Sequence, residues 1–145
     1  MNIKRLFSVP GTSNIADIGL LLIRCVSGFA FIMHGWGKIQ NPFGWMGPDA
    51  SVPGIFQALA AVSEFGGGLA WIIGLLTPLA SLGIAFTMAV GFSMHTFING
   101  DPFVSHGGSS SESAAVYFCI AVLYIAIGPG RFSLDSRLFG DRSVG

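Results

Sequence analysis

Four long apolar runs, at residues 16–38, 54–76, 78–99 and 112–130, decide what this chain of 145 residues can fold into. Each approaches the ~20 residues a helix needs to cross the hydrocarbon of a bilayer. The runs are continuous and lack period-two alternation, which argues against half-buried or barrel strands. Charged residues make up only 10% of the chain, apolar residues 52%, and the mean hydropathy is +0.70. A soluble domain carries about a quarter charged residues, so this chain has too little polar surface to face water. The expected fold class is an all-α membrane protein, a four-transmembrane-helix bundle forming one domain by length. Thr77–Pro78 leaves almost no loop between the second and third runs, so those two helices must form a tight antiparallel hairpin.

Basic residues give an orientation. Lys4 and Arg5 precede the first run, and Arg131, Arg137 and Arg142 follow the fourth, while residues 39–53 and 100–111 hold only Asp49 and Asp101 as charged groups. By the positive-inside rule both termini are expected in the cytoplasm, as an N-terminal segment 1–15 and a tail 131–145. The two longer loops then face outward. The first run is read as a retained helix and not a cleaved signal: Arg24 interrupts it, and no small-residue cleavage site follows cleanly. The formal net charge of zero gives no reason to expect nucleic acid as a partner; the bilayer is the expected one.

Against this background the ionisable residues inside the runs stand out: Arg24, His34 and Lys38 in the first, Glu64 in the second, His95 in the third and Glu112 at the head of the fourth. A charge at mid-membrane costs ~2.5 kcal/mol or more, so each needs a partner or a task. Arg24, Gly28, Phe31, Gly35 and Lys38 fall on one helical stripe, and Glu64, Gly68, Trp71 and Leu75 on another. Gly28 and Gly35 are expected to let a neighbouring helix come close, and Gly66, Ala70 and Gly74 form a small-xxx-small row suited to packing or dimerisation. By depth, His34, Lys38, His95 and Glu112 belong to the outer third, Glu64 to the middle, and Arg24 below it. The expectation is a polar pocket open to the outer face with Glu64 as its floor, and Arg24 beneath as a buried counter-charge.

Each residue also has a plainer reading. An Arg24–Glu64 pair can fix helix register without chemistry, Lys38 can snorkel to the head groups, the histidines can be satisfied interior groups, and Glu112 can sit favourably on a helix dipole. No metal-like ligand spacing is present, so no metal is expected. Cys25 and Cys119 lie at different depths and are not expected to pair.

The segments Phe31-Ile-Met-His-Gly-Trp-Gly-Lys38, Glu64-Phe-Gly-Gly-Gly-Leu-Ala-Trp-Ile-Ile-Gly-Leu-Leu-Thr-Pro78 and Gly128-Pro-Gly-Arg-Phe-Ser-Leu-Asp135, with Arg24, His95 and Glu112, resemble the DoxX family of small four-helix bacterial inner-membrane proteins. The resemblance spans about residues 16–135. It implies a multi-pass protein of the bacterial inner (plasma) membrane and a link to quinone-dependent redox chemistry, with thiosulfate or oxidative stress as the context. A membrane subunit of a quinone-linked oxidoreductase is therefore the first functional expectation. In it His34, His95 and Lys38 donate to a quinone head group, Glu64 relays protons, Trp36 and Trp71 flank the ring, and a soluble redox partner handles electrons. The competing expectations are a non-catalytic anchor or assembly partner of a soluble oxidoreductase, and a small-molecule carrier, which a homo-oligomer would make roomier.

Overall fold

In a computed structural model, residues 7–142 are described, the side chains of residues 141 and 142 excepted, so Lys4 and Arg5 of the orientation argument lie outside the described residues. Helix α1 spans Asn14–Gln40, α2 Gly54–Ile73, α3 Thr77–Ser93 and α4 Glu112–Ile127, with a short α5 at Leu134–Phe139. A single π-helical turn, Met94–Ile98, extends α3. Two-residue strands β1 (Val9–Pro10) and β2 (Asp141–Arg142) pair in parallel, which brings the two ends of the described stretch to the same end of the bundle.

Three helical stretches, Asn14–Gln40, Gly54–Ile73 and Thr77–Ile98, are long and apolar enough to cross a membrane. The apolar α4 is shorter, at 16 residues or about 24 Å of rise. It runs beside α3, and its Tyr124 hydroxyl donates to the carbonyl of Leu20 on α1. Large apolar side chains such as Leu22, Val26, Phe29, Leu59, Leu69 and Phe86 stay exposed around the bundle. In a chain of this composition that surface is the lipid-facing one.

The α2–α3 hairpin shows how the sequence closes so tight a turn. Gly74 takes the left-handed conformation (φ 68°) that ends α2, and the Gly74 and Leu75 amides donate back to the carbonyls of Trp71 and Ala70. Leu76 also has positive φ (47°), a strained backbone for a branched residue. The buried Asp135 holds it there. Its two carboxylate oxygens accept from the Leu76 amide at 2.6 Å and the Thr77 amide at 2.8 Å, which caps α3 from a segment almost sixty residues away. Pro78 in the first turn of α3 supplies the backbone angle the helix start requires.

Arg24 does the complementary work on α2. Its guanidinium is fully buried and donates to four carbonyls: Trp71 (2.7 Å), Ile72 (2.9 Å), Pro129 (2.8 Å) and Phe132 (2.9 Å). Two of these carbonyls lie in the last turn of α2, where the helix dipole favours a cation, and that of Trp71 also accepts from the Gly74 amide. The other two belong to the segment that follows α4. The expected Arg24–Glu64 pair is therefore absent, because the guanidinium meets backbone carbonyls and not a carboxylate. Asp17 completes this end, accepting from the Thr12 hydroxyl and the Arg131 amide.

Glycines set the helix spacing. A Cβ on Gly28 would lie 2.7 Å from the Gly68 carbonyl oxygen, and one on Gly35 only 2.5 Å from the Phe65 nitrogen, so α1 and α2 touch backbone to backbone. The contact on α2 is made by Phe65 and Gly68. The small-residue row foreseen from Gly66, Ala70 and Gly74 does not supply it: Gly66 faces open space beyond Val62, and Gly74 is the helix cap against Arg24 and Ser133. Between the two ends of the bundle lies an aromatic layer of Phe31, Trp71 and Tyr124, with Tyr117 against Phe31 at 4.8 Å.

Candidate functional site

The end of the bundle away from the termini encloses a cavity of about 880 Å³, whose wall draws on all four long helices and the segment joining α1 to α2. His34, Lys38, Glu64 and His95 all line it. Arg24 does not; it lies on the far side of the aromatic layer, bonded to Trp71, seven residues or about 10 Å along α2 from Glu64. Glu112 is exposed at the start of α4 and is not part of the wall, which α4 supplies through Ser113, Ala114 and Tyr117.

Stripe geometry explains the grouping. Phe31, His34 and Lys38 follow one another at helical spacing on α1, and Ala60, Ser63 and Glu64 do so on α2. The Gly35–Phe65 contact then brings the two stripes together. Lys38 Nζ donates to Glu64 Oε1 at 2.6 Å, with Glu64 almost fully buried and Lys38 partly accessible. The second carboxylate oxygen, Oε2, is buried without a hydrogen-bond partner. A buried carboxylate oxygen left unpaired costs 1–3 kcal/mol or more, and this one belongs to a residue on a cavity wall. Phe31 and Tyr117 form the floor, a place the sequence assigned to Glu64.

His95 lies on the π-helical turn, a local widening that re-aims side chains and recurs at functional sites. Its Nδ1 is 2.6 Å from Asp101 Oδ2, and the Asp101 amide donates to the His95 carbonyl at 2.8 Å. With Nδ1 engaged, Nε2 is the ring nitrogen left for another partner. Asp101 was read in the sequence only as a loop charge, since its six-residue offset from His95 matches no α-helical period.

The joining segment covers part of the cavity. Gln57 on α2 is buried and ties it down: its side-chain amide donates to the Val52 carbonyl (2.8 Å), its Oε1 accepts from the Met46 amide (3.0 Å), and its own carbonyl accepts from the Trp45 indole (2.9 Å). The Lys38 ammonium sits 4.5 Å from the centre of the Trp45 ring, a cation–π contact. Trp45, Met46 and Val52 thus become wall residues. The tryptophans foreseen as ring partners lie elsewhere. Trp71 is in the aromatic core with its indole donating to Ser81 Oγ, and Trp36 is mostly exposed against Phe65. Trp45 escaped because a loop has no periodicity to place it.

The rim is asymmetric. His34, Asn99 and Ser113 give it exposed polar groups, while Phe56, Leu59, Phe86 and Val90 give it exposed apolar ones between α2 and α3. Among the described residues no group of three or more His, Cys, Asp or Glu side chains is placed to hold a metal ion, and Cys25 and Cys119 are both free. The arrangement offers an acceptor at Glu64, donors at Lys38 and His95, and a largely aromatic and aliphatic remainder. Such a mixture holds one polar head group on an otherwise apolar small molecule.

Comparison with known proteins agrees with this architecture. The DoxX family matches residues 19–96, which takes in most of α1, all of α2 and α3, and the start of the π-helical turn. The inner membrane protein YqjF of Escherichia coli (strain K12) is 34% identical over 131 residues, covering 86% of this chain and 95% of its own length. No solved structure matches significantly. The chain belongs to the DoxX family and is a multi-pass inner-membrane protein.

Proposed function

We propose that this chain is a membrane subunit of a quinone-linked redox system and that the cavity takes the quinone head group. Four spans are part of this reading. The 16-residue α4 would cross alongside α3, the segment 128–133 completing the passage at the terminal end. So is orientation: the basic residues of both terminal segments hold the termini in the cytoplasm, and the cavity then opens toward the periplasmic side.

The observation that carries the reading is the unpartnered Oε2 of Glu64 on the wall of a cavity otherwise rich in aromatic and aliphatic side chains. A quinol hydroxyl would donate to that oxygen, and Lys38 or the free His95 nitrogen would donate to a quinone carbonyl. When a quinol is oxidised it gives up two electrons and two protons. The electrons pass to a soluble redox partner, and the residues of this chain bind the ring and accept protons at Glu64 and His95. Phe31, Trp45 and Tyr117 are the aromatic groups available to the ring.

The test is binding of a short-chain ubiquinone analogue to the protein in lipid nanodiscs, followed by quenching of tryptophan fluorescence in Trp36→Phe, with the further variant Trp45→Phe giving the part that comes from Trp71. Loss of a hydrogen bond to a charged acceptor is worth ~1.5–3 kcal/mol, so Glu64→Gln should weaken binding about tenfold or more. Unchanged affinity in both Glu64→Gln and His95→Ala would refute the reading. The clasp at the terminal end favours a second reading, a non-catalytic anchor for a soluble oxidoreductase, because Arg24, Asp17 and Asp135 all serve the backbone. An anchor predicts that a partner co-purifies equally well with Glu64→Gln and that no quinone binds.

A further inference from the structure

Helices α2 and α3 do not stay together along their length. At the level of the aromatic layer they are in close contact: a Cβ on Gly67 would meet Ile84 Cδ1 at 2.9 Å, and one on Gly83 would meet Ser63 Oγ at 2.8 Å. Along the stripe of α2 that faces α3, burial then falls steadily. Gly67 is buried, Ser63 and Ala60 are intermediate, and Phe56 is 58% exposed. On α3 the same trend runs from buried Ile84, through intermediate Thr87, to Val90 at 57%. The cavity occupies the opening between them, since Phe56, Leu59, Ala60, Phe86, Thr87 and Val90 all belong to its wall.

Phe56, Leu59, Phe86 and Val90 therefore have two exposures at once, one to the cavity and one to the outside of the bundle. On helices long and apolar enough to cross a membrane, the outside is hydrocarbon. The four side chains offer that environment no polar atom, so lipid contact costs them nothing. The other approach is more obstructed. Trp45, Met46 and Val52 lie across the cavity, and the three hydrogen bonds of Gln57 pin them there. Of the polar groups on the same wall, Glu64 is buried, Lys38 partly so, and His95 stands beyond Val90 on the π-helical turn.

We propose that the gap between α2 and α3 is a lateral portal through which a membrane-dissolved amphiphile enters. Its polar head reaches Lys38, Glu64 and His95, and its apolar tail stays between Phe56/Leu59 and Phe86/Val90, in continuity with the acyl chains. This rests on the reading that the cavity binds a ligand, and it narrows the ligand to one that partitions into the bilayer. A water-soluble substrate arriving over the Trp45 segment is the alternative.

The experiment uses the full chain in lipid nanodiscs, with Cys25 and Cys119 changed to Ala and a reporter cysteine placed in the cavity as Ala60→Cys. Two probes are compared: a long-chain N-alkyl maleimide dissolved in the bilayer, and a charged, membrane-impermeant thiosulfonate in the water. The alkyl maleimide should react at a rate near that of a lipid-facing reference cysteine, Cys25 retained alone. The charged reagent should be slower than it is on the exposed loop variant Ser109→Cys by at least about tenfold, ~1.4 kcal/mol in activation free energy. Filling the portal with Val90→Trp should slow the alkyl probe about tenfold and leave the charged one unchanged, while Phe86→Ala should speed the alkyl probe. Helical content and a monodisperse elution profile confirm folding of each variant. Faster reaction with the charged reagent, no effect of either portal substitution, or no reaction with either probe would each overturn the portal. Labelling needs no quinone, so a portal that behaves as stated while short-chain ubiquinone fails to bind would sink the redox reading alone.

Discussion

Replacing Arg24 with lysine, alone and together with Glu64→Gln, separates a helix-end clasp from a buried ion pair. Lysine keeps the charge, so any long-range Coulomb effect on Glu64 is nearly unchanged, while the fork geometry is lost. The guanidinium spreads four bonds over carbonyls of α2 and of the segment after α4. An ammonium at the end of a flexible stem can satisfy about two of them, and the bond made by Nε to Trp71 is lost first. Two bonds from a charged donor, at ~1.5 kcal/mol each, give a destabilisation of about 3 kcal/mol. Glu64→Gln keeps an acceptor for Lys38 but removes the charge attraction, at about 1 kcal/mol for a partly accessible pair. Arg24 and Glu64 share no partner and lie about 10 Å apart along α2, so the double variant should be additive to within ~0.5 kcal/mol. The contrasting cycle, Lys38→Met with Glu64→Gln, should show coupling of about 1 kcal/mol or more, because those side chains are in contact. The assay is reversible unfolding in mixed micelles by titration with dodecyl sulfate, followed by far-ultraviolet circular dichroism. Coupling above ~1 kcal/mol between Arg24→Lys and Glu64→Gln would refute the assignment of Arg24 to the helix ends.

Three further outcomes follow from the same geometry. Gly35→Ala places a Cβ 2.5 Å from the Phe65 nitrogen and should cost about 1–3 kcal/mol by the same titration, whereas Gly66→Ala, in open space within a helix, should be neutral or stabilising by up to ~1 kcal/mol. Equal effects at the two positions would show that the α1–α2 contact is misplaced. Asp135→Ala removes both acceptors that cap α3 and hold Leu76 at positive φ, and should lower stability by about 2 kcal/mol; an unchanged midpoint would contradict the clasp. Gln57→Ala releases the Trp45 segment at two points, Met46 and Val52, leaving the Trp45 indole on the backbone carbonyl, and should raise the reactivity of Ala60→Cys toward the charged thiosulfonate about tenfold without changing the alkyl maleimide rate. An unaltered rate would mean that the segment does not restrict access from water.

Much of this architecture was legible because one physical rule dominates: in a bilayer, backbone polar groups must be satisfied within a helix and apolar side chains must face out. Residue spacing alone put Phe31 and Lys38 on one face, and depth alone separated Arg24 from the residues nearer the other end. Periodicity says which face of a helix a residue occupies, but not what stands opposite. Arg24 was rightly read as needing compensation. Its partners are carbonyls where Gly74 stops α2 and where the chain leaves α4, and no pattern of side chains announces such carbonyls. The α1–α2 contact misses the Gly66 row for a related reason: each residue of shift turns a helix by about 100°, so Gly66 and the contacting Gly68, two residues on, present quite different faces. Trp45 and Asp101 lay in loops, where neither period applies.

The charges foreseen as one polar pocket are in fact two sets with opposite chemistry, divided by Phe31, Trp71 and Tyr124. At the terminal end Asp17 leaves Oδ2 without a hydrogen bond, 3.8 Å from Arg131 Nε and off the cavity wall, while Arg24 and Asp135 are fully engaged: guanidinium nitrogens on carbonyls and both carboxylate oxygens on amides. Groups saturated in this way have no capacity left for a ligand, and their removal should register as lost stability. At the other end Glu64 keeps a buried oxygen unpaired, His95 keeps a ring nitrogen, and both line the cavity. An unpaired buried acceptor weakens the fold, so its presence is best accounted for by something that arrives to pair with it. That asymmetry, rather than the number of ionisable groups in the membrane, is what supports placing the proposed binding site at this end of the bundle.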